Sequence, residues 1–418
     1  MIPSNRRVVV TGLGCTSPVG VTVQDTWEAL LAGKSGIKPL TAWDASDYKV
    51  RICGEIRDFD SSIAIAPNRA KKLDRFVQLG VVATHECMKD AGLADGISED
   101  EAVMASVIAG SGIGGLIETE AQHKKLLEKG PGRVSPFLIP KLMLNALSAQ
   151  MSMDFNCKGV NFATTSACAS AGHSIAMAMR SIKYGESDLV LTGGAEACIT
   201  TLGMGGFAAL KAMSTRNDDP ERASRPFDRD RDGFVMGEGA GILLLEELEH
   251  AKKRGAKIYC EIVGAGMTAD AHHITQPAPK AEGAQRSMKL AMKEGGLNIE
   301  DVDYVNAHGT STPINDVNES QAVEAVFGDH AKNMVVNSTK SMVGHLLGAS
   351  AAVESVATCL SIANGVVHQT LNHENPGEGC NLDYVKEGPR EMLVRAAVTN
   401  SLGFGGHNLT LAFKRFED

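Results

Sequence analysis

The stretch GVNFATTSACASAG, residues 159–172, decides the fold, because a second stretch with the same plan occurs far along the chain. It predicts a short strand, a tight turn through Cys168 and the start of a long helix rich in alanine and methionine. The segment MVVNSTKSMVGH, residues 334–345, also runs from a strand through a turn into an alanine-rich helix, which extends through Cys359. Each segment therefore predicts a strand, a turn and a buried helix.

Two further pairs of segments match in the same order along the chain. Residues 7–14 resemble residues 258–266, and residues 189–194 resemble residues 397–403. Several of these runs are continuously apolar, which is typical of central strands covered by helices on both faces. One match could arise by chance, but three in order predict an internal duplication of an α/β unit.

The duplication predicts two similar halves, residues 1–250 and 251–418, joined near residues 247–256. The first half contains the turn with Cys168, and the second contains the histidines discussed below. Residues 116–134 and 214–231 have no counterpart in the second half. We expect them to be insertions that cap a site and bind partners.

Composition excludes several classes of protein. The net charge of −9 over 418 residues argues against a general nucleic-acid binder. The nine cysteines form no CxxC pair and no cysteine–histidine spacing typical of zinc, so we expect neither a disulfide framework nor a metal site. The N-terminus enters a strand at once, and no apolar stretch is long enough to cross a bilayer. We expect a protein of a reducing compartment, without membrane association.

Cys168 differs from the other cysteines in its position between a strand and a helix. The macrodipole and free N–H groups of a helix start favour a thiolate, so we expect the pKa of this thiol to be lowered. Ala167, Ala169 and Ala171 leave room for an acyl group to approach the sulfur. We expect the other eight cysteines to be small buried apolar residues.

Three more side chains are predicted to lie with Cys168. His308, in NAHGTSTP (306–313), and His345 each follow a strand on a turn that contains glycine. Such a turn can direct a side chain into a crevice. Phe404 lies in a loop flanked by glycines, where it offers a backbone N–H group and a mobile aromatic ring.

Together the motifs TTSACASAG, NAHGTSTP, STKSMVGHLLGA and GFGGHN resemble those of the elongating β-ketoacyl-[acyl-carrier-protein] synthases, nearest to the synthase II type. The stretches SRPFDRDRDGFVMGEGAG (224–241) and MSTRNDDP (213–220) support the resemblance, which covers nearly the whole chain. It implies a thiolase-type fold, a five-layered α-β-α-β-α stack of two similar five-stranded halves, in a homodimer. It also implies condensation of malonyl and acyl thioesters without a cofactor.

The resemblance implies a role for each candidate catalytic residue. Cys168 would accept the acyl chain, and His308 and His345 would bind the malonyl thioester, promote loss of CO2 and stabilise the enolate. The backbone N–H groups of Cys168 and Phe404 would stabilise the second oxyanion. The charge of Lys340 would keep His345 neutral and help to position it.

Other positions match the family's supporting residues. Glu354 matches a buried structural acid near the lysine. Thr310 and Thr312 match residues that hold the pantetheine arm, and Gly403 borders the substrate. Ile113 falls where synthase II types carry isoleucine at the floor of the acyl pocket.

The implied partner, acyl carrier protein, is acidic, so we expect a local basic patch that speeds encounter. Arg69, Lys71, Lys72 and Arg75 are predicted to lie on one helix-like stretch. The other candidates lie in or beside the insertions: Lys124, Lys125, Lys129 and Lys211. We expect a bacterial cytoplasmic setting, with a mature organellar form left open.

Three rival functions stay open at this point. A thiolase acting on coenzyme A esters carries a second reactive cysteine, whereas the mirrored loop here offers Phe404 and His407. An initiating synthase has asparagine in place of one of the two histidines. A silent chain-length subunit lacks the nucleophile, so loss of activity on labelling one thiol would distinguish it. His407 also departs from the threonine of the family's usual GFGGTN.

Overall fold

The computed structural model describes residues 6–418, so residues 1–5, at the start of the N-terminal stretch, lie outside the described residues. Its strands are β1 (Val8–Thr16), β2 (Lys38–Pro39), β3 (Ile52–Cys53), β4 (Ala105–Gly110), β5 (Asn161–Phe162), β6 (Leu189–Glu196), β7 (Gly239–Glu247), β8 (Cys260–Ala269), β9 (Val302–Asn306), β10 (Val335–Asn337), β11 (Val366–Val367), β12 (Arg390–Glu391), β13 (Ala396–Gly403) and β14 (His407–Lys414).

The α-helices are α1 (Val23–Leu31), α2 (Pro67–Ala70), α3 (Arg75–Asp90), α4 (Leu116–Lys129), α5 (Leu138–Leu142), α6 (Ala146–Phe155), α7 (Ser170–Lys183), α8 (Thr201–Ala209), α9 (Leu248–Lys253), α10 (Glu282–Gly295), α11 (Pro313–Phe327), α12 (Lys340–Val343) and α13 (Ser350–Asn364). No helix within residues 6–418 is long and apolar enough to cross a membrane.

Each half of the chain contributes five strands in the same order. The first half gives β5-β4-β6-β7-β1, and the second gives β10-β9-β13-β14-β8. The three matches found in the sequence correspond to β1 and β8, β5 and β10, and β6 and β13, which occupy equivalent places. A short antiparallel pairing of Val9 with Glu261 and Val10 with Cys260 joins the two sets into one ten-stranded sheet.

The helices lie in three layers around these two sets of strands. Helices α7 and α13 pack against each other and share one apolar core with strands of both halves. Helices α3 and α6 cover the outer face of the first half, and α10 and α11 cover the outer face of the second. Residues Ser350–Ile362 of α13 are all buried. The predicted five-layered α/β architecture is therefore confirmed.

The ends of three strands of the second half meet at one edge of the fold. Asn306 at the end of β9 pairs with Asn337 of β10 on one side and with Thr399 of β13 on the other. Because these strands are parallel, their following loops emerge together. Those loops carry His308, His345 and Phe404.

The basic stretch at residues 69–75 differs from its prediction. It does not form one helix, because α2 ends at Ala70 and α3 begins at Arg75. Asp74 is the N-cap of α3, and its carboxylate accepts a hydrogen bond from the backbone N–H of Phe76. An aspartate in this position favours a new helix start over continuation of the preceding helix.

Candidate active site

Cys168 lies on a sharp turn that leads into α7. Ala167 has a φ of 51°, in the left-handed region that non-glycine residues rarely adopt. The Ser170 hydroxyl accepts a hydrogen bond from the backbone N–H of Ser166 at 2.9 Å and donates one to the Ala167 carbonyl at 2.7 Å. These contacts hold the strained turn and present the thiol to the cavity.

The sulfur of Cys168 is surrounded by hydrogen-bond donors. His345 Nε2 lies 3.0 Å from Sγ, and the backbone N–H groups of Cys168 and Phe404 also point at the sulfur. Two N–H groups in this arrangement can stabilise an oxyanion that forms on a carbonyl carbon attached to Sγ. These are the same two backbone N–H groups that the family resemblance implied as donors to an oxyanion.

The prediction of a lowered thiol pKa is wrong. Burial raises the pKa of Cys168 to about 11, although the charge of Lys340 and the Phe404 N–H group lower it. The helix begins at Ser170, beyond the cysteine, so its dipole acts less directly than the sequence suggested. The thiol is therefore predominantly protonated until a substrate reacts with it.

The neighbours of His345 determine which ring nitrogen carries its proton. The backbone N–H of Leu347 lies 3.2 Å from Nδ1 and can only donate, so Nδ1 is an acceptor. The Ser350 hydroxyl, 2.8 Å from Nδ1, can also donate to it. Burial and the charge of Lys340 lower the pKa of His345 well below 6.5. The neutral ring therefore carries its proton on Nε2, which faces the cavity.

His308 has the same tautomer for a different reason. The ammonium group of Lys340 lies 3.4 Å from Nδ1 and can only donate, so Nδ1 again accepts. Burial lowers the pKa of His308 well below 6.5, and the charges of Lys340 and His345 act in the same direction. The two histidine rings lie with centroids 5.4 Å apart. Two neutral Nε2–H donors thus face one cavity.

Two buried acids support these histidines. Glu319 accepts hydrogen bonds at 2.8 Å from the backbone N–H groups of His308 and Gly309, which fixes the histidine turn. Glu354 forms an ion pair with Lys340, and the two side chains are only 2% and 0% exposed. Lys340 contacts His308, whereas we expected it to position His345. Its charge nevertheless lowers the pKa of both histidines.

The three reactive groups have a spacing that a metal could bridge, with ligand atoms within 4.8 Å of one another. Their surroundings do not fit a cation. A metal at Nε2 would require a proton on each Nδ1, where the Leu347 N–H group and the Lys340 ammonium already donate. The positive charge of Lys340 would also repel it. The cluster is suited to stabilising negative charge instead.

A cavity of about 390 Å³ gives access to these groups. Besides Cys168, His308 and His345, the predicted residues Thr310, Thr312, Gly403 and Phe404 line it. Sequence reasoning missed Phe207 and Phe234, whose rings pack edge to face with centroids 5.4 Å apart and supply part of the apolar wall. Phe234 lies within the stretch 224–241 that supported the family resemblance, and this stretch could have indicated that Phe234 lies near the site.

Two family models match most of the chain. Residues 5–251 match the model described as beta-ketoacyl synthase, N-terminal domain, and residues 259–374 match the one described as beta-ketoacyl synthase, C-terminal domain. The chain belongs to the β-ketoacyl synthase family.

Similar proteins extend over the whole length of this β-ketoacyl synthase. Proteins named 3-oxoacyl-[acyl-carrier-protein] synthase 2 are 50% identical in Synechocystis and 48% identical in Coxiella burnetii, each over 99% of both chains. A solved beta-ketoacyl synthase from Burkholderia phymatum is 34% identical, with a TM-score of 0.90 over 99% of this chain and all of that one. A ketosynthase solved with its type II polyketide acyl carrier protein is 31% identical, with a TM-score of 0.89 over 98% of this chain and all of that one.

The loop of the synthase that carries Phe404 is a hairpin turn between β13 and β14. Phe404 is 36% exposed, and its ring centroid lies 6.4 Å from that of Phe207. Gly405 and Gly406 have φ values of 87° and 75°, which few other residues adopt. The N–H of Gly405 donates to the carbonyl of Ile274 at 2.7 Å, so this loop is tied to the chain that follows β8.

The structure places Ile113 outside the lining of this cavity. Its side chain is 38% exposed. The role of Ile113 at the floor of the acyl pocket stays a prediction. Neither of the inserted segments 116–134 and 214–231 lines the cavity, although Asp232, next to the second one, does.

The predicted basic residues of the synthase fall into two groups. Arg75 donates to Glu238 and to the Ile56 carbonyl, and Arg69 donates to Gln150 and Asp154. Internal partners therefore hold both guanidinium groups. The exposed lysines are Lys71, Lys72, Lys124, Lys129 and Lys211, and Lys125 is half-buried. Lys211 also lines the cavity.

Proposed function

We propose that Cys168, His308 and His345 carry out a decarboxylating condensation in fatty acid elongation. The enzyme condenses malonyl-[acyl-carrier-protein] with an acyl thioester and yields a 3-oxoacyl-[acyl-carrier-protein] and CO2. The observation that carries the assignment of roles is the convergence of one thiol and two neutral Nε2–H donors in one cavity. No cofactor is needed for these steps.

In the first half-reaction Cys168 takes the acyl group. Its sulfur attacks the acyl thioester carbonyl, and the backbone N–H groups of Cys168 and Phe404 stabilise the oxyanion. The bond between the carbonyl carbon and the carrier sulfur then breaks. The carrier leaves as a free thiol, which takes the proton that the Cys168 thiol loses.

In the second half-reaction the histidines hold the malonyl thioester. Its carbonyl oxygen accepts hydrogen bonds from Nε2 of His308 and His345 while the bond to the carboxylate breaks and CO2 leaves. The enolate carbon attacks the acyl carbonyl on Cys168, and a carbon–carbon bond forms. The Cys168 sulfur leaves as a thiolate and takes up a proton from solvent, which balances the negative charge of the malonyl carboxylate. Both rings are neutral with the proton on Nε2, so each stabilises the enolate oxygen by a hydrogen bond in which it keeps its proton.

Acyl carrier protein is the proposed partner that delivers both substrates. A similar ketosynthase has been solved in complex with its carrier protein, which supports this proposal. The exposed lysines named above offer positive charge to an acidic carrier, and Lys211 stands at the cavity itself. Thr310 and Thr312, whose hydroxyls lie 2.9 Å apart, line the cavity where the pantetheine arm would enter.

A homodimer is the proposed assembly. Strand β5 stands at the edge of the sheet, and Asn161 and the apolar Val160 beside it are exposed. An unprotected edge strand can pair with the same strand of a second copy. The loop of Ile113 contacts the segment that follows this strand, because the Thr165 hydroxyl donates to the Gly112 carbonyl at 3.4 Å. A sedimentation experiment that finds only monomers would contradict the dimer.

Two further proposals concern organisation and location. We place the boundary between the halves at residue 250, so that residues 1–250 contain β1 to β7 and residues 251–418 contain β8 to β14. We also propose that the protein works in a reducing compartment. This compartment is the bacterial cytoplasm, or an organelle if the chain is the mature form of an organellar protein. The nine cysteines, all within residues 6–418, are free thiols, which is consistent with this setting.

The catalytic roles can be tested by separating decarboxylation from acyl transfer. Cys168→Gln leaves both histidines in place and should still decarboxylate malonyl carrier protein, while it forms no condensation product. His308→Ala and His345→Ala should lose decarboxylation. Release of CO2 and formation of 3-oxoacyl product would be measured in parallel. Retained decarboxylation in both histidine variants would rule out the enolate-stabilising role.

A further inference from the structure

Glu196, at the end of β6, is a completely buried carboxylate with no direct part in the steps above. Its Oε1 atom accepts from Ser111 Oγ at 2.9 Å and from the backbone N–H groups of Ile113 and Gly114 at 3.2 Å each. Its Oε2 atom accepts from the N–H groups of Gly112 at 2.7 Å and Gly348 at 3.1 Å. The Sγ atom of the neighbouring Cys198 also lies 3.4 Å from Oε1. Burial raises the pKa of Glu196, and the hydrogen bonds from Ser111 and the loop N–H groups act in the opposite direction. Because backbone N–H groups can only donate and both carboxylate oxygens receive them, the geometry favours the ionised form.

These donors belong to two separate segments that meet at the carboxylate next to the cysteine turn. A Cβ atom on Gly112 would lie 2.7 Å from Glu196 Oε2, 3.3 Å from the Gly348 nitrogen and 3.4 Å from the Ala167 carbonyl oxygen. A Cβ atom on Gly348 would overlap the Gly112 nitrogen. The loop 111–114, the turn before Cys168 and the segment after His345 are therefore in direct contact around Glu196.

The segment that Glu196 holds also determines the tautomer of His345. Gly348 is the next residue after Leu347, whose backbone N–H donates to His345 Nδ1. Leu347 has a φ of 48°, so the segment is in a conformation that it would not keep without support. The hydrogen bond from the backbone N–H of Gly348 to Glu196 supplies that support.

We propose that Glu196 is a positioning residue of the condensation, which holds Gly348 and thereby keeps the Leu347 N–H group on His345, and that its charge also acts on Cys168. The inference rests on the proposed function of the two residues that it influences. Glu196 touches neither substrate nor reacting atoms, and it acts through its neighbours. Its effects on geometry and on charge can be separated by substitution.

The charge effect opposes that of Lys340. The negative charge of Glu196 contributes to the raised pKa of the Cys168 thiol, while the positive charge of Lys340 lowers it. Removal of the Glu196 charge should therefore lower the pH at which the thiol becomes reactive. A residue that only stabilised the fold would not shift that pH.

The test uses the full-length enzyme with Glu196→Gln and Gly348→Ala. The first removes the charge and disturbs the donors, and the second displaces the segment but keeps the charge. We expect both variants to decarboxylate malonyl carrier protein about tenfold or more slowly, as expected for a lost hydrogen bond to a charged group. Only Glu196→Gln should lower the pH midpoint of Cys168 alkylation by iodoacetamide, by roughly 0.5 to 1 unit.

Two controls keep the result interpretable. Glu246→Gln removes another buried carboxylate, which is bound to Arg254 and His250, and should lower the melting temperature without moving the alkylation midpoint. If Glu196→Gln does not fold, Ser111→Ala removes one donor and Gly348→Ala still tests the positioning effect. Wild-type decarboxylation and an unchanged alkylation midpoint in folded Glu196→Gln would overturn this inference. Absence of condensation by the wild-type enzyme would instead overturn the proposed function.

Discussion

Replacement of Lys340 by methionine should affect stability and catalysis through two different contacts. The ammonium group forms a buried ion pair with Glu354 and donates to His308 Nδ1 at 3.4 Å. The other carboxylate oxygen of Glu354 has no hydrogen-bond partner among residues 6–418. Lys340→Met therefore leaves a buried negative charge without compensation and frees His308 to change its tautomer and its pKa.

The two effects have different expected sizes. Removal of one partner of a buried ion pair costs about 3–5 kcal/mol of the free energy of unfolding. Loss of a hydrogen bond from a charged donor to His308 costs roughly 1.5–3 kcal/mol of transition-state stabilisation. That loss corresponds to a decarboxylation rate lower by about 10- to 150-fold. Without the nearby cation, the pKa of His308 should also rise towards its ordinary value.

A double variant separates these effects. Lys340→Met with Glu354→Gln no longer contains a buried charge at this position, so denaturant unfolding should show that most of the stability returns. Decarboxylation of malonyl carrier protein should stay low, because the donor to His308 Nδ1 is still absent. A double variant with wild-type decarboxylation would refute the catalytic role, and a Lys340→Met variant as stable as wild type would refute the structural one.

Three further perturbations test other parts of the site. We expect the Phe404 ring to act as a gate that shields Cys168 from malonyl substrate until the cysteine is acylated. Phe404→Ala should then keep the backbone N–H group and some condensation but decarboxylate malonyl carrier protein faster in the absence of an acyl primer; a lower melting temperature with unchanged unprimed decarboxylation would contradict the gate. Because burial and Lys340 hold the pKa of both histidines well below 6.5, decarboxylation by Cys168→Gln should be nearly flat from roughly pH 8 to 6; a decline centred near 6.5 would contradict neutral donors. Burial alone would raise the pKa of Glu246, but hydrogen bonds from Arg254, His250 and Thr11 lower it to about 2, from an ordinary value of 4.5. The contribution of Glu246 to stability is therefore complete above pH 4.5 and is lost as pH falls towards 2. The melting temperature of Glu246→Gln should depend less on pH in this range than that of the wild-type enzyme. Parallel profiles of melting temperature against pH for the two proteins would contradict the lowered pKa of Glu246.

The duplicated fold could be predicted because its strands carry a local signal. The apolar runs that form β1 and β8, or β6 and β13, resemble each other in sequence and occupy equivalent positions in the two halves. The pairing of Val9 with Glu261, which joins the halves into one sheet, has no such signal. This pairing depends on how the two halves pack against each other, which local sequence patterns do not predict.

The reactive residues were predictable for a similar reason. Cys168, His308 and His345 each follow a strand on a turn, and the parallel strands of the second half bring the two histidine loops together. The direction of the thiol pKa was not predictable, because it depends on burial by distant parts of the chain. Helix position alone suggested the opposite direction.

Polar contacts between residues far apart in the chain could also not be predicted from the sequence. Arg75 is held by Glu238, 163 residues away, so it could not be distinguished from a free surface cation. Apart from the neighbouring Cys198, the donors to Glu196 come from residues 82 to 152 positions away. Ile113 was placed by resemblance alone, and the sequence carried no signal for its partial exposure.

The site of acylation gives the most direct test of the central claim. The enzyme would be incubated with an acyl-carrier thioester alone, digested and analysed by mass spectrometry, with Cys168→Ala as the control. The acyl group should be found on the peptide that contains Cys168, and addition of malonyl carrier protein should discharge it as 3-oxoacyl product with release of CO2. Acyl label on Cys157 or Cys198, or label on Cys168 that malonyl carrier protein does not remove, would contradict the claim.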